Sequence, residues 1–150
     1  MDELSLESAF LESLNTDFDI SVHKILRLVD NERLNSITGI SVGQALDILF
    51  LKSNNAIVEG WEVLQSLNRI EENLTITDME DLSYVVNLEH IESMNLTNMP
   101  NRNSLDQFSS LVALGDLRIT DLQTLSDFSR LATVEFFGLN LNLFLSLIHI

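Results

Sequence analysis

The 150-residue chain has no cysteine and few cationic residues. Without cysteine it forms no disulfide bond, builds no thiolate metal site and has no cysteine nucleophile. Lys and Arg number 8 against 23 Asp and Glu, which gives a net charge of −15. Such a chain cannot neutralise a run of phosphates, so we expect no nucleic-acid partner, and an anionic membrane surface is equally disfavoured.

The sequence signatures of common active sites are also missing. We find no Gly-rich phosphate loop, no G-x-S-x-G and no H-E-x-x-H. No pair of His residues has metal-ligand spacing, and the scattered carboxylates fit a solvated surface better than a metal site. We therefore predict no enzyme, no catalytic residue, no cofactor and no metal. The hydrophobic content of 45% excludes the disordered class and predicts a folded domain.

The two ends of the chain set the predicted boundaries. Residues 1–8 lack the basic and apolar regions of a signal peptide. Residues 131–150 are apolar enough to suggest a membrane span, but their polar residues and the alternating leucines favour a strand over membrane insertion. Residues 145–150, LSLIHI, back-translate to CTG-TCT-CTT-ATA-CAC-ATC, the transposon end of common sequencing adapters. We interpret 145–150 as translated adapter and expect the chain to be a fragment.

A leucine repeat runs through residues 1–144. Residues 46–57 match L-x-x-L-x-L-x-x-N-x-x-I at every fixed position. Residues 76–91, ITDMEDLSYVVNLEHI, align without gaps with residues 119–134, ITDLQTLSDFSRLATV, and a related copy lies between them. A short L-x-L strand core recurs every 20 to 25 residues or so. We place it at Leu4/Leu6, Leu26/Leu28, Leu49/Leu51, Leu74/Ile76, Met94/Leu96, Leu117/Ile119 and Phe137/Leu139.

These segments make the chain resemble the bacterial leucine-rich repeat family, especially its short-repeat, internalin-like branch. A receptor-L-like repeat is the nearest structural alternative. The resemblance implies a leucine-rich repeat solenoid of the α/β horseshoe class, with a parallel β-sheet on the concave face. Since apolar residues between the strands recur at every third position, we expect 3₁₀ or extended returns on the convex face. Residues 1–144 hold about six to seven repeats.

Two features of the repeats carry structural expectations. In the resembled family an Asn after each strand stacks into a ladder, and Asn31 and Asn54 hold that place here. We expect Asp78, Asn98 and Asp121 to replace the ladder in the later repeats. Neither end of the array shows a polar cap, so self-association through the uncapped ends is expected.

The side chains between and after the strand leucines are expected to point onto the concave face, because strand side chains alternate. The resemblance implies that this face binds a macromolecule, namely a protein or, alternatively, a glycan. Phe50, flanked by two cations, is the best candidate contact, whereas the Thr residues also fit ordinary β-surface. The predicted ligand-binding residues are Arg27, Phe50, Lys52, Thr75, Thr77, Asn95, Thr97, Arg118 and Thr120.

The sequence thus predicts a non-catalytic binding module of a bacterial cell-surface or secreted protein. Its acidic surface, poor in Lys and rich in Asn, Ser and Thr, favours a location outside the cell. The alternative is a cytoplasmic regulatory or scaffolding repeat array, attached to an enzymatic domain outside this fragment.

Overall fold

The computed structural model describes residues 1–8, 10–79, 82–99, 103–121, 124–138 and 141–144. These residues form short β-strands joined by loops and single turns of 3₁₀ helix. The strands are β1 (Glu3–Glu7), β2 (Ile20–Val22), β3 (Ile25–Val29), β4 (Ile40–Val42), β5 (Ala45–Lys52), β6 (Arg69–Thr77), β7 (His90–Thr97), β8 (Ala113–Thr120), β9 (Glu135–Phe136) and β10 (Leu141–Phe144). The 3₁₀ helices are η1 (Trp61–Ser66), η2 (Ser83–Val85), η3 (Asp106–Phe108) and η4 (Ser129–Thr133).

The main sheet is parallel, and its strands follow one another in space in nearly the order of the chain. The order is β1-β3-β5-β6-β7-β8-β10, with β9 paired to the amino-terminal end of β8. In the chain, β2 comes between β1 and β3, and β4 comes between β3 and β5. These two short strands pair with each other in a second, two-stranded parallel sheet. Each main strand therefore lies beside the strand one sequence repeat away, as parallel pairing with crossover connections requires.

The L-x-L cores of the first six repeats align across the sheet, which confirms their predicted placement. The first members of these cores pair from strand to strand, and so do the second members. From β3 to β8 all ten of these side chains are buried, and burying each Leu or Ile contributes about 1.5–3 kcal/mol. The two rows are Leu4, Leu26, Leu49, Leu74, Met94 and Leu117, and Leu6, Leu28, Leu51, Ile76, Leu96 and Ile119.

The placement of the seventh core at Phe137/Leu139 is wrong. Leu141 pairs with Leu117 and Leu143 with Ile119, so the strand lies four residues further along the chain. Phe137 is 52% exposed, and Leu139 lies outside the described residues. The sequence alternates from Phe137 to Leu143, and a slip by an even number of residues keeps that alternation, so the pattern alone could not fix the register.

The returns between strands contain the 3₁₀ helices, in agreement with the period of three. Their apolar residues pack beneath the sheet, and Leu64, Val85 and Phe108 are buried at η1, η2 and η3. Neighbouring returns also touch each other: Trp61 of η1 stacks on Tyr84 of η2 with ring centroids 4.4 Å apart. In the described ranges no helix is long and apolar enough to cross a bilayer.

Each of the first six main strands is followed by a residue with positive φ, two positions after the second leucine of its core. Asp, Asn and Ser fill this position, and Asp and Asn are among the non-glycine residues that tolerate the left-handed conformation best. In the first five of these turns, the backbone N–H of this residue donates to the carbonyl oxygen of the last residue of the neighbouring strand, as Asp30 does to Lys52 at 2.8 Å. The six residues are Ser8, Asp30, Ser53, Asp78, Asn98 and Asp121.

The positions of these turn residues correct the expectation about how the asparagine ladder continues in the later repeats. Asn31 and Asn54 are fully buried one position after it, but the same position in the next two repeats holds the buried Met79 and Met99. The Asn54 backbone N–H donates to the sulfur of Met79 at 3.3 Å, where the ladder ends. Asp78, Asn98 and Asp121 therefore do not take over the buried position of the ladder, because they continue the exposed or half-buried left-handed position that Asp30 and Ser53 hold in the earlier repeats. Part of the expectation holds at that position, since Asp78 accepts side-chain hydrogen bonds from Ser53 at 3.4 Å and from Asn98 in the neighbouring turns.

Candidate binding face

The outer face of the main sheet is the side that turns away from the buried leucine rows. Residues that alternate with the core leucines lie on it, since successive strand side chains point to opposite faces. Three rows of outer-face residues cross the strands from β3 to β8. Two of them run in continuous register, whereas in the row that contains Asn73 and Ser93 the pairing of β6 with β7 is irregular between these two residues. The rows are Ile25, Ile48, Asn73, Ser93 and Asp116; Arg27, Phe50, Thr75, Asn95 and Arg118; and Val29, Lys52, Thr77, Thr97 and Thr120.

All nine residues predicted from the sequence lie in the second and third of these rows. Arg27 and Arg118, and likewise Val29 and Thr120, are 91 residues apart in the sequence. Each of these pairs belongs to one row because each strand pairs with the next. Neighbouring strands lie about 4.8 Å apart. The nine side chains therefore form a continuous two-row strip, and each of them is half-buried or exposed.

Salt bridges hold the two cations that flank Phe50. Arg27 donates to Glu3 Oε1 at 2.6 Å, and Lys52 donates to Asp30 Oδ2 at 3.1 Å. Their side chains remain 32% and 38% exposed. Exposed pairs of this kind are worth little in stability, but they orient two cations near Phe50: Arg27 is its partner on β3, and Lys52 lies two residues further along β5.

The amino-terminal half of the outer face has an apolar patch that the sequence analysis described only in part. Ile25 and Val29 on β3 lie beside Ile48 and Phe50 on β5, and all four are half-buried. A depression of about 360 Å³ opens at the edge of this patch. It is lined by Glu7, Arg27, Val29, Asp30, Phe50 and Lys52.

The carboxyl-terminal half of the outer face is polar. Asn73 donates to the Ser93 hydroxyl at 3.3 Å and accepts a hydrogen bond from Thr75 at 2.5 Å. Thr77, Thr97 and Thr120 follow one another in the third row. Beside the charged Asp116 and Arg118 of β8, this half therefore presents short hydroxyl and amide side chains, which can exchange hydrogen bonds with an extended polar ligand.

The sequence analysis missed the part of the outer face at the amino-terminal ends of β6 to β9. A second depression of about 280 Å³ lies there, and its lining includes His90, Ala113 and Phe137. The feature that could have indicated this depression is the length of β6, β7 and β8, each of which begins several residues before its L-x-L core. Among the described residues no group of three or more His, Cys, Asp or Glu side chains is arranged to hold a metal ion.

Comparisons with protein-family models, with curated proteins and with solved structures gave no match to this chain. The placement of residues 145–150 as adapter concerns positions outside the described residues.

Proposed function

We propose that the chain is a leucine-rich repeat solenoid whose outer face is concave and binds a protein ligand without catalysis. The solenoid is supported by the agreement between the sequence period and the strand pairing, since each core leucine pairs with its equivalent one repeat later. The recurrent left-handed turn after six strands also supports it, because the same turn then closes successive repeats. Stacked repeats of this kind bury a continuous core and present an extended binding surface.

One observation carries the binding proposal: the nine predicted residues form one strip across five strands of the sheet. The strip joins an apolar patch with two oriented cations to a polar row of Thr and Asn. Interfaces combine aromatic and Arg anchors with polar surroundings in this way. Phe50 is the proposed anchor, with Arg27 and Lys52 beside it. A glycan is the alternative ligand, favoured by the hydroxyl and amide side chains of the polar half.

We also propose a location at the surface of a bacterial cell or in a secreted protein. The net charge of −15 and the low Lys content support it. The cytoplasmic alternative predicts an enzymatic domain in the same reading frame, whereas the proposed location predicts a signal peptide upstream. Sequencing of the source locus distinguishes the two.

The binding proposal is tested by selecting peptides from a random display library on the immobilised chain. Selected peptides should bind the outer face, so Phe50→Ser and Thr97→Arg should each weaken their binding about tenfold or more, as expected for hot-spot positions. Val58→Ser and Val58→Arg are the matched controls, because Val58 is 75% exposed in the segment before η1. Peptides whose binding falls with the Val58 variants but not with the outer-face variants would contradict the proposal.

A further inference from the structure

A trough crosses the outer face at the amino-terminal ends of β6 to β9. In register, Arg69 of β6 lies beside His90 of β7, which lies beside Ala113 of β8, which lies beside Glu135 of β9. None of the nine residues of the predicted strip lines the trough. Its charged, polar or aromatic lining residues are Arg69, Glu71, His90, Glu92, Glu135 and Phe137.

The trough is hollow because β8 has a small residue, Ala113, at this point. Ala113 provides only a methyl group between the larger side chains of β7 and β9. Gly115 does not line the trough but lets β8 approach β7 closely, since a Cβ at this position would lie 2.1 Å from the Glu92 carbonyl oxygen and 3.1 Å from the Phe137 ring. Only glycine therefore fits at 115. Since each strand is about 4.8 Å from the next, the walls on β7 and β9 stand about two strand spacings apart.

The charge in the trough is negative after its internal ion pair is taken into account. Arg69 is paired with Glu71 at 2.9 Å. Glu92 and Glu135 are both exposed and form no salt bridge within the described ranges. Phe137, on the β9 side, is 52% exposed. The trough therefore offers two uncompensated carboxylates on opposite walls and an accessible aromatic ring.

From this geometry we propose that the trough is a subsite for a cationic side chain, lysine or arginine, of the protein partner. The two carboxylates attract the cation from both walls, and the Phe137 ring attracts it through its quadrupole. The net charge of −15 steers a basic partner towards the chain. This inference rests on the proposed function for the identity of the partner as a protein. It adds an orientation: a basic residue of the partner lies over the amino-terminal ends of β7 to β9.

The test titrates the ¹⁵N-labelled chain with N-acetyl-arginine amide and follows the backbone amide signals by NMR. Saturable shifts are expected at residues 113–116 and at Phe137. N-acetyl-citrulline amide has nearly the same shape without the charge and should leave these signals in place. Ala113→Leu fills the trough and should abolish the shifts, whereas Ala132→Leu places the same change on exposed η4 residue 132 and should preserve them.

The carboxylates are tested one at a time. Glu92→Gln and Glu135→Gln should each weaken arginine amide binding about threefold, as expected for exposed ion pairs. Glu62→Gln, at an exposed position in the first turn of η1, is the matched control. Shifts that spread over exposed acidic residues throughout the chain, or that persist unchanged in Ala113→Leu, would overturn the subsite, and so would equal binding of the citrulline compound.

The subsite and the proposed function fail in different measurements. Suppose that Ala113→Leu abolishes the shifts induced by arginine amide, while selected peptides bind Phe50→Ser and Thr97→Arg as tightly as the unaltered chain. That result would support the cation site and contradict the protein-binding strip. Suppose instead that Phe50→Ser and Thr97→Arg weaken the binding of selected peptides, while the shifts induced by arginine amide are the same in Ala113→Leu and in the unaltered chain. That result would support the strip and overturn the cation site.

Discussion

Asn31 donates its side-chain amide to Oδ1 of Asn54 at 2.9 Å, and both residues are completely buried. Asn31 also donates to the carbonyl oxygen of Leu6, and Asn54 donates to that of Leu28 at 2.6 Å. Each amide thus satisfies a backbone group at the end of a strand in the preceding repeat. This pair links three successive repeats through hydrogen bonds in the core.

We predict that Asn54→Ala lowers the free energy of unfolding by about 2 kcal/mol, because it leaves buried polar groups of Asn31 and Leu28 without this partner. Urea denaturation followed by circular dichroism measures the change. The control is Asn35→Ala, since Asn35 is exposed and should change stability by less than about 0.5 kcal/mol. Equal stabilities of the two variants would show that the pair contributes nothing to the core.

Arg130 joins the last two described returns. Its guanidinium donates to the carbonyl oxygens of Phe108 and Ser109, each at 2.8 Å, and to that of Leu111. Lysine keeps the charge but lacks the planar fork that reaches several acceptors at once. Arg130→Lys should therefore cost about 2 kcal/mol of stability, measured by urea denaturation. Arg33→Lys, at an exposed position, should have a much smaller effect. A similar loss in both variants contradicts the specific role of Arg130.

Asp127 precedes η4 and accepts hydrogen bonds from Ser129. The side-chain hydrogen bond of Ser129, followed by its backbone N–H at 2.8 Å, lowers the pKa of the Asp127 carboxyl below its ordinary value. A folded-state pKa below the unfolded value of about 3.9 stabilises the fold above that pH. The contribution is lost as the pH falls through the lower folded-state pKa.

We therefore expect the Asp127 carboxyl to titrate at a lower pH in the native chain than in the urea-unfolded chain, as measured by ¹³C NMR. Ser129→Ala should raise the native pKa towards the unfolded value, because it removes the larger of the two causes. An Asp127 pKa that is the same in Ser129→Ala and in the unaltered chain would contradict the assigned cause.

The sheet edge at β1 predicts self-association of the 150-residue chain. In the described residues β1 pairs only with β3, and Leu4 and Leu6 are half-buried where Leu26 and Leu28 are fully buried. Phe10 and Leu11 follow this strand and are 86% and 44% exposed. Unpaired backbone beside apolar side chains favours association.

Sedimentation velocity should show association that grows with protein concentration. Replacing both Phe10 and Leu11 by Ser should weaken the association about tenfold, because it removes apolar area at this end. Val112→Ser is the control, since Val112 is 52% exposed and lies just before β8. A chain that stays monomeric at every concentration contradicts the prediction.

The leucine spacing was enough to predict the first six main strands and their neighbours. Each main strand has its buried leucines at equivalent positions of the repeat. Only one register of parallel pairing places Leu26, Leu49 and Leu74 side by side, so the rows could be predicted from the sequence. The nine strip residues followed from the same register. The period of three likewise predicted the 3₁₀ returns.

The failures of the sequence analysis have local causes. Phe137 to Leu143 alternates without a break, so the last strand could slip by an even number of residues at no cost to the pattern. The trough depends on the small side chain of Ala113 between larger neighbours, and a pattern of apolar positions carries no information about side-chain volume. The left-handed position of Asp78 and Asn98 depends on backbone dihedral angles, which only the comparison with Asp30 and Ser53 in three dimensions made clear.

The measurement that tests the account most directly is site-specific photo-cross-linking of a selected peptide. The native chain has no cysteine, so a single Asn95→Cys variant carries one benzophenone label in the middle of the outer-face strip. A Val58→Cys variant carries the same label outside the strip. We predict that the peptide cross-links to the label at 95 and not to the label at 58. Cross-linking at 58 alone, or equally at both positions, would contradict binding at the outer face.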